Sequence, residues 1–161
     1  MAARGFIAGI VLWAVTAICN PAGAGAEARL SKGQILYVPV YSHVYTGDRA
    51  LPFNLAATMG IRNIDLTNSI TVTRVTYHDS KGRLVKRFLS GPLTLPPQGS
   101  TSFYLKERDT SGGFGAHFIV EWEAPREINE PIVESVMIGA RSGQGISFVS
   151  PGREIGTPAG R

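Results

Sequence analysis

ILYVPVYSHVY, at residues 35–45, is the stretch that best indicates how this chain folds. Side chains along an extended strand point alternately to opposite faces of a sheet. One face of this stretch carries Leu36, Val38, Val40 and Val44, and we assign it to the core. The other face carries Tyr37, Tyr41, His43 and Tyr45. Pro39 has no N–H group, which predicts an edge strand or a bulge at this point.

Short runs rich in β-branched and aromatic residues continue along the chain. Residues 70–78 read ITVTRVTYH, and the Asp79–Gly82 turn that follows predicts a hairpin. Further runs are residues 53–64, 84–89, 100–106, 117–123, 132–140 and 146–150, with a proline-broken segment at 92–97. The pattern predicts a single immunoglobulin-like antiparallel β-sandwich of about 7–9 strands at residues 27–150. Residues 151–161, rich in glycine and proline, predict a flexible tail.

The first 26 residues have the features of a secretory signal peptide. Arg4 precedes the uncharged apolar run GFIAGIVLWAVTAI, and small residues that fit the A-x-A cleavage rule end at Ala26. The run is too short for a membrane-spanning helix, which needs about 20 residues. Ile18 precedes Cys19 where a lipid-modified cysteine normally follows a small residue, which argues against a lipid anchor. We therefore expect an exported protein, periplasmic or secreted, without a transmembrane segment in the mature chain.

The loss of this leader would remove the only cysteine, Cys19. A mature chain without thiols has no disulfide, no cysteine nucleophile and no thiolate metal site. Loss of Arg4 leaves 15 basic and 12 acidic residues, a net charge of +3. The densest basic patch, at residues 81–87, is typical of a solvated hairpin and not of a nucleic-acid binder.

Several motifs resemble those of a bacterial family, the domain-of-unknown-function family numbered 3124. They are GQILYVPVYSHVY at residues 33–45, IRN with Asp65 at 61–65, GGFGA at 112–116, FIVEW at 118–122, ESVMIG at 134–139 and QGISF at 144–148. The resemblance covers residues 31–150 and implies an exported or lipid-anchored protein without an assigned activity. The family pattern also implies Asn where His117 stands, which argues against an essential catalytic or ligating role for His117.

The aromatic face of residues 35–45 is the first candidate binding surface. Tyrosine can both stack and hydrogen-bond, which suits recognition, so Tyr37, Tyr41, His43 and Tyr45 would form one ridge. The alternative is that these rings cover a small apolar cluster, with their hydroxyl groups in water. Two glycine-containing loops could form a binding edge if they lie at one end of the sandwich. Their candidate residues are Asp109, Gly112 and Gly113, beside His117, and Arg141.

No complete catalytic or metal-binding set is present in the sequence. His43, His78 and His117 have no recognised ligand spacing with the acidic residues. Ser42 and His43 are neighbours, and neighbours on a strand point to opposite faces. Glu121 and Glu123 alternate with apolar residues, as on a solvent-facing strand. We expect no catalytic residues, no metal and no cofactor.

These observations favour a non-catalytic binding or interaction module of the cell envelope, whose partner is an envelope ligand or protein. Two alternatives stay open. One is a metal-dependent or carboxylate-based extracytoplasmic enzyme, which would need His43 or His117 beside two acidic side chains. The other is a structural accessory whose edge strand, such as the Pro39 strand, pairs with a partner chain.

Overall fold

A computed structural model describes residues 29–141 and 143–158 of the chain. The predicted signal peptide at residues 1–26 therefore lies outside the described residues. None of the described residues belongs to a helix long and apolar enough to cross a bilayer. Twelve strands lie in the described ranges: β1 (Leu30–Pro39), β2 (His43–Thr46), β3 (Leu51–Asn54), β4 (Ala56–Arg62), β5 (Ile70–His78), β6 (Leu84–Arg87), β7 (Leu93–Leu95), β8 (Ser100–Leu105), β9 (His117–Asn129), β10 (Ile132–Arg141), β11 (Gln144–Pro151) and β12 (Arg153–Gly156).

The strands form two main antiparallel sheets and one hairpin. The six-stranded sheet has the order β12-β1-β9-β5-β6, with β7 also paired to β5. The four-stranded sheet has the order β11-β10-β4-β8, and β2 pairs with β3 alone. The predicted all-β antiparallel sandwich is confirmed, whereas its immunoglobulin-like character stays a prediction. The strand number exceeds the predicted range because bends divide two predicted runs and because β7 and β12 are short additional strands.

One core lies between the two sheets. The six-stranded sheet contributes Val38, Phe118 and Trp122, and the four-stranded sheet contributes Met59 and Met137, all fully buried. Burial of each such side chain stabilises the fold by roughly 1.5–3 kcal/mol. The alternation read from the sequence therefore places the core correctly.

Residues 153–156 form strand β12, within the segment at 151–161 for which the composition predicts a flexible tail. Strand β12 pairs with β1, from Ile35 opposite Gly156 to Tyr37 opposite Arg153. Gln34 fixes this arrangement: it accepts a hydrogen bond from the Trp122 indole at 3.2 Å and donates one to Glu154 at 3.1 Å. Backbone pairing with β1 outweighs the glycine and proline content of this segment.

Strand β1 is central, with β9 on one side and β12 on the other. The suggestion that a partner chain pairs with the Pro39 strand is therefore wrong, whereas a structural accessory that pairs through another edge strand stays a prediction. Pro39 itself lies past the end of β12, and its carbonyl accepts a hydrogen bond from Ser135 of the other sheet. The N–H and C=O groups of one strand residue point to the same side of the strand. Since the Pro39 carbonyl bonds Ser135 and not β9, an N–H at this position would also point away from β9, and proline costs no hydrogen bond of the sheet.

The loop between β4 and β5 is held by two buried polar side chains. The amide of Asn63 donates to the carbonyls of Asn68, Leu95 and Pro96 at 2.8–3.3 Å. Asp65 accepts from the backbone N–H groups of Thr67 and Asn68 at 3.0 and 2.8 Å and from that of Asn129 at 3.2 Å. These bonds, that of Thr67 foremost, hold the pKa of Asp65 well below its ordinary value. The IRN motif with Asp65 is therefore a structural element.

Candidate functional site

The chain bends after β1, and the bend brings two loops together. The N–H of Val40 donates to the carbonyl of Ala116 at 3.0 Å, and that of Ser42 donates to the carbonyl of Gly113 at 3.3 Å. The N–H of Leu55 returns to the carbonyl of Ser42 at 3.0 Å. The β2–β3 hairpin therefore lies beside the glycine loop at residues 112–116.

An aromatic patch forms where the hairpin meets this loop. It consists of Tyr41, His43, Tyr45 and Phe114. The rings of Tyr41 and Phe114 meet edge to face with centroids 5.0 Å apart, and those of Tyr45 and Phe114 stack at 6.2 Å with an interplanar angle of 29°. The other edge of Tyr41 packs on Phe148 of β11, at 5.5 Å between centroids.

The patch has a half-buried base and an exposed rim. Tyr41 packs against the core, whereas Tyr45 is 57% exposed and Phe114 is 48% exposed. His43 lies between them, with Nδ1 3.2 Å from the Ser42 hydroxyl and Nε2 3.2 Å from the Tyr45 hydroxyl. The patch thus offers two ring faces to solvent, beside an imidazole and a phenol whose orientations are fixed.

The Ser42–His43 contact corrects the expectation that these neighbours point to opposite faces. That expectation holds within a strand, but Ser42 lies in the bend before β2. Ser42 is only 5% exposed, so a substrate has little access to its hydroxyl group. Its geometry fits a residue that positions the His43 ring.

The glycine loop is anchored at its base. Ser80 donates its hydroxyl to the carbonyl of Gly112 and accepts the N–H of Gly115, both at 2.9 Å. A Cβ at Gly112 would lie 1.9 Å from the Tyr77 hydroxyl, so only glycine fits between them. Burial raises the pKa of Tyr77 to about 12. Gly113 has a φ of +75°, which turns the chain so that Phe114 projects outward.

The other predicted loop residues lie at the same end of the sandwich but not in the patch. Asp109 accepts the N–H of Ser111 at 3.2 Å and shapes the start of the glycine loop. Arg141, at the end of β10, lies over the Phe53 ring with its guanidinium carbon 5.6 Å from the centroid. The binding edge formed by the two glycine-containing loops stays a prediction.

Tyr37 and His117 form a separate stack on the outer face of the six-stranded sheet. The Tyr37 and His117 rings are 4.3 Å apart, and His78 continues the stack 5.2 Å beyond His117 at an interplanar angle of 7°. The predicted single ridge is therefore wrong, because the bend after Val40 separates Tyr37 from the other three residues.

The stack is poorly suited to bind a metal ion. A ligated ion lies in the plane of each imidazole, and the two nearly parallel histidine planes share no such position. Within residues 29–141 and 143–158, no group of three His, Cys, Asp or Glu residues is arranged to hold a metal. The pKa of His117 is lowered, mainly by burial, and the neighbouring His78 adds to this effect. His117 Nδ1 has no hydrogen-bond partner among the described residues.

Glu121 and Glu123 do not form a catalytic pair in this arrangement. Glu121 forms an ion pair with Arg74 at 3.0 Å, and Glu123 is exposed.

A cleft of about 690 Å³ lies beside β12, between Arg29, Glu130 and Arg153, and shares no residue with the aromatic patch.

Sequence reasoning missed Phe114, which is central to the patch. The signal was present, since a lone aromatic residue inside GGFG cannot be buried by alternation along a strand. Phe148 was also missed, because its contact with Tyr41 joins residues that are distant in the sequence.

Comparison with known proteins identifies a family and little beyond it. None of the curated proteins matches the chain in sequence. The crystal structure of Thermotoga maritima 1070 aligns with 78% of this chain and 97% of its own at 9% identity, with a TM-score of 0.46. That similarity is too low to support an argument about fold or function. The sequence model of the family described as "Protein of unknown function (DUF3124)" matches residues 33–155, and the chain therefore belongs to this family.

Proposed function

We propose that the protein is an exported, non-catalytic binding module of the bacterial cell envelope that takes its ligand on the aromatic patch. The observation that carries this proposal is the exposure of Tyr45 and Phe114, 57% and 48%, on a hairpin and a loop that are joined by hydrogen bonds. The signal peptide features of residues 1–26 support the export.

The chemistry of the patch favours a ligand with a flat or weakly polar ring face. Tyr45 and Phe114 present ring faces that lose little conformational entropy on binding, because each side chain has only two rotatable angles. The Tyr45 hydroxyl uses one hydrogen bond, at 3.2 Å, on His43 and keeps capacity for another, so it can hydrogen-bond to a polar substituent at the edge of such a ring. A sugar ring of an envelope polysaccharide combines both features.

The anchoring of the loops supports recognition because it reduces the entropy lost on binding. The backbone bonds at Val40 and Ser42 hold the hairpin against the glycine loop. Ser80 closes the loop from the opposite side. The exposed rings are thus presented in a fixed relation before any ligand arrives.

Binding to envelope material tests the proposal directly. The full chain is expressed with its leader, and the recovered protein is expected to begin at Glu27. Wild-type protein should sediment with washed cell-envelope fragments of the source bacterium. The double variant Tyr45→Ala, Phe114→Ala should lose roughly tenfold or more in affinity, because each aromatic contact contributes about 0.5–1.5 kcal/mol.

Tyr104→Ala is the matched control for this experiment. Tyr104 is exposed to a similar degree, 56%, but lies on β8 of the four-stranded sheet. Its variant should bind as the wild type does. Equal binding by the double variant and the wild type would refute the patch as the ligand site, and a retained leader would refute export.

A further inference from the structure

Strand β11 is an edge strand with little of the usual protection against pairing, since its single proline, Pro151, stands at its last position. It forms one end of the four-stranded sheet and spans eight residues, QGISFVSP, with no charged side chain. Its register with β10 is continuous over all eight residues, so no bulge interrupts it. Within the described parts of the chain, β10 is its sole pairing partner. Val149 is 53% exposed along this edge.

Two edge strands of the six-stranded sheet carry the features that proteins use to prevent edge-to-edge pairing. Strand β6 spans four residues, all exposed, and contains Lys86 and Arg87. Strand β12 also spans four residues and contains Arg153 and Glu154. Strand β8, at the other edge of the four-stranded sheet, also contains no charged side chain, but it spans only six residues. Strand β11 is therefore the longest of the edge strands, and it contains no charged side chain and no bulge.

We propose that β11 pairs antiparallel with β11 of a second copy of this chain, which joins two four-stranded sheets into one of eight strands. The chain has a net charge of +4, which opposes the approach of two copies. An uncharged edge is a surface where that repulsion is weak at contact. It also offers no charge to an acidic or basic peptide, which favours a second copy over such a partner.

The side chains of β11 favour a two-fold axis through Ser147. Residues directly opposite each other in an antiparallel pair lie on the same face. This register places Ile146 opposite Phe148 of the partner subunit, twice, on the side that faces the core. Aromatic and β-branched residues are favourable cross-strand pairs. On the outer face, Val149 would then cover Gly145 of the partner subunit.

The size of the contact indicates a reversible dimer. Eight strand residues extend over roughly 27 Å. Pairing along one edge of this length buries less than the roughly 800 Å² per partner of a standard stable interface. We therefore expect a dimer that dissociates on dilution.

Sedimentation over a concentration series tests the dimer. The chain should shift from monomer to dimer between roughly 1 and 500 µM. The double variant Ser147→Lys, Val149→Lys should remain a monomer throughout, because lysine on an edge strand opposes pairing. Ser102→Lys places the same charge on β8, at the other edge of the same sheet, and should dimerise as the wild type does. A wild-type monomer at all concentrations would overturn the proposal.

Cysteine cross-linking tests the register in a chain with Cys19→Ser, which removes the only native thiol. Opposite residues in an antiparallel pair have Cα atoms about 4.5–5.5 Å apart, within disulfide range. Ser147→Cys should therefore give a covalent dimer on mild oxidation, and Ser102→Cys should not. Equal cross-linking at both positions would overturn pairing through β11. Hydrogen exchange of the wild type at low and high concentration reports the same contact without a substitution, as slower exchange confined to β11.

Discussion

At the end of the sandwich where β4 leads into β5, Asn63 and Asp65 use almost every polar atom to bind backbone groups. At the opposite end, the aromatic patch directs Tyr45 and Phe114 into solvent. Both ends belong to motifs of the same family, and both depend on loops that are held by hydrogen bonds. At the first end the side chains form hydrogen bonds to the protein's own backbone, whereas at the second end two aromatic rings remain exposed to solvent. This contrast is the physical basis on which we assign a structural role to the first end and propose a binding role for the second.

The largest expected effect is the loss of Asn63. Asn63→Ala removes three hydrogen bonds to carbonyl groups at residues 68, 95 and 96. Buried groups left without partners typically cost about 1–3 kcal/mol each, and partial hydration reduces the sum, so we expect a loss of roughly 2–4 kcal/mol in the free energy of unfolding. Urea unfolding measures it. A loss below roughly 0.5 kcal/mol would remove the contrast between the two ends.

An intermediate effect is expected at the Tyr37–His117–His78 stack, and it depends on pH. The pKa of His117 is lowered in the folded state, so the unfolded chain binds more protons as the solution becomes acidic. The stability contributed by the neutral ring is complete above the unfolded pKa of 6.5 and is lost as pH falls through the folded value. His117→Asn should therefore show a shallower fall in thermal midpoint between about pH 7.5 and about pH 5.

His117→Phe is the matched control, because it keeps a ring in the stack and removes only the titrating group. Both variants should show the shallow pH dependence, and His117→Asn should also be less stable near neutral pH. A fall as steep as that of the wild type in both variants would assign the effect to another group.

The smallest expected effect concerns the exposed rings. Tyr45→Ala and Phe114→Ala should each change the free energy of unfolding by no more than roughly 0.5 kcal/mol, as for surface positions in general. Urea unfolding of the single variants measures this change. A loss of roughly 1.5 kcal/mol or more would instead indicate that the rings cover an apolar cluster, which is the alternative for this face.

The sequence was sufficient to predict the sheets and their core because alternation depends only on local geometry. Trp122 and Val38 are buried where the period-two pattern places them. The same reasoning failed at Tyr37 and Tyr41, because a bend between them changes which face each side chain occupies. This bend is set by contacts with the glycine loop, which is distant in the sequence, so the local pattern could not predict it.

Composition misled the prediction in one place for a related reason. The segment after residue 150 contains glycine and proline, which normally weaken strands, yet β12 forms there. The cause is the exposed side of β1, whose backbone groups require a partner. The candidate site shows the same limit of local sequence patterns. Tyr41, His43 and Tyr45 were predicted from the alternation of one stretch, whereas Phe114 joins them only through a contact between segments distant in the sequence.

The pairing of Ile35 with Gly156 joins residues near opposite ends of the described chain. Strand β1 is synthesised first among the twelve, but its neighbours β9 and β12 come much later in the chain. The six-stranded sheet cannot be completed until β12 has been translated. A topology so dominated by distant contacts predicts folding in milliseconds to seconds, with a long interval in which β1 exposes two unpaired edges.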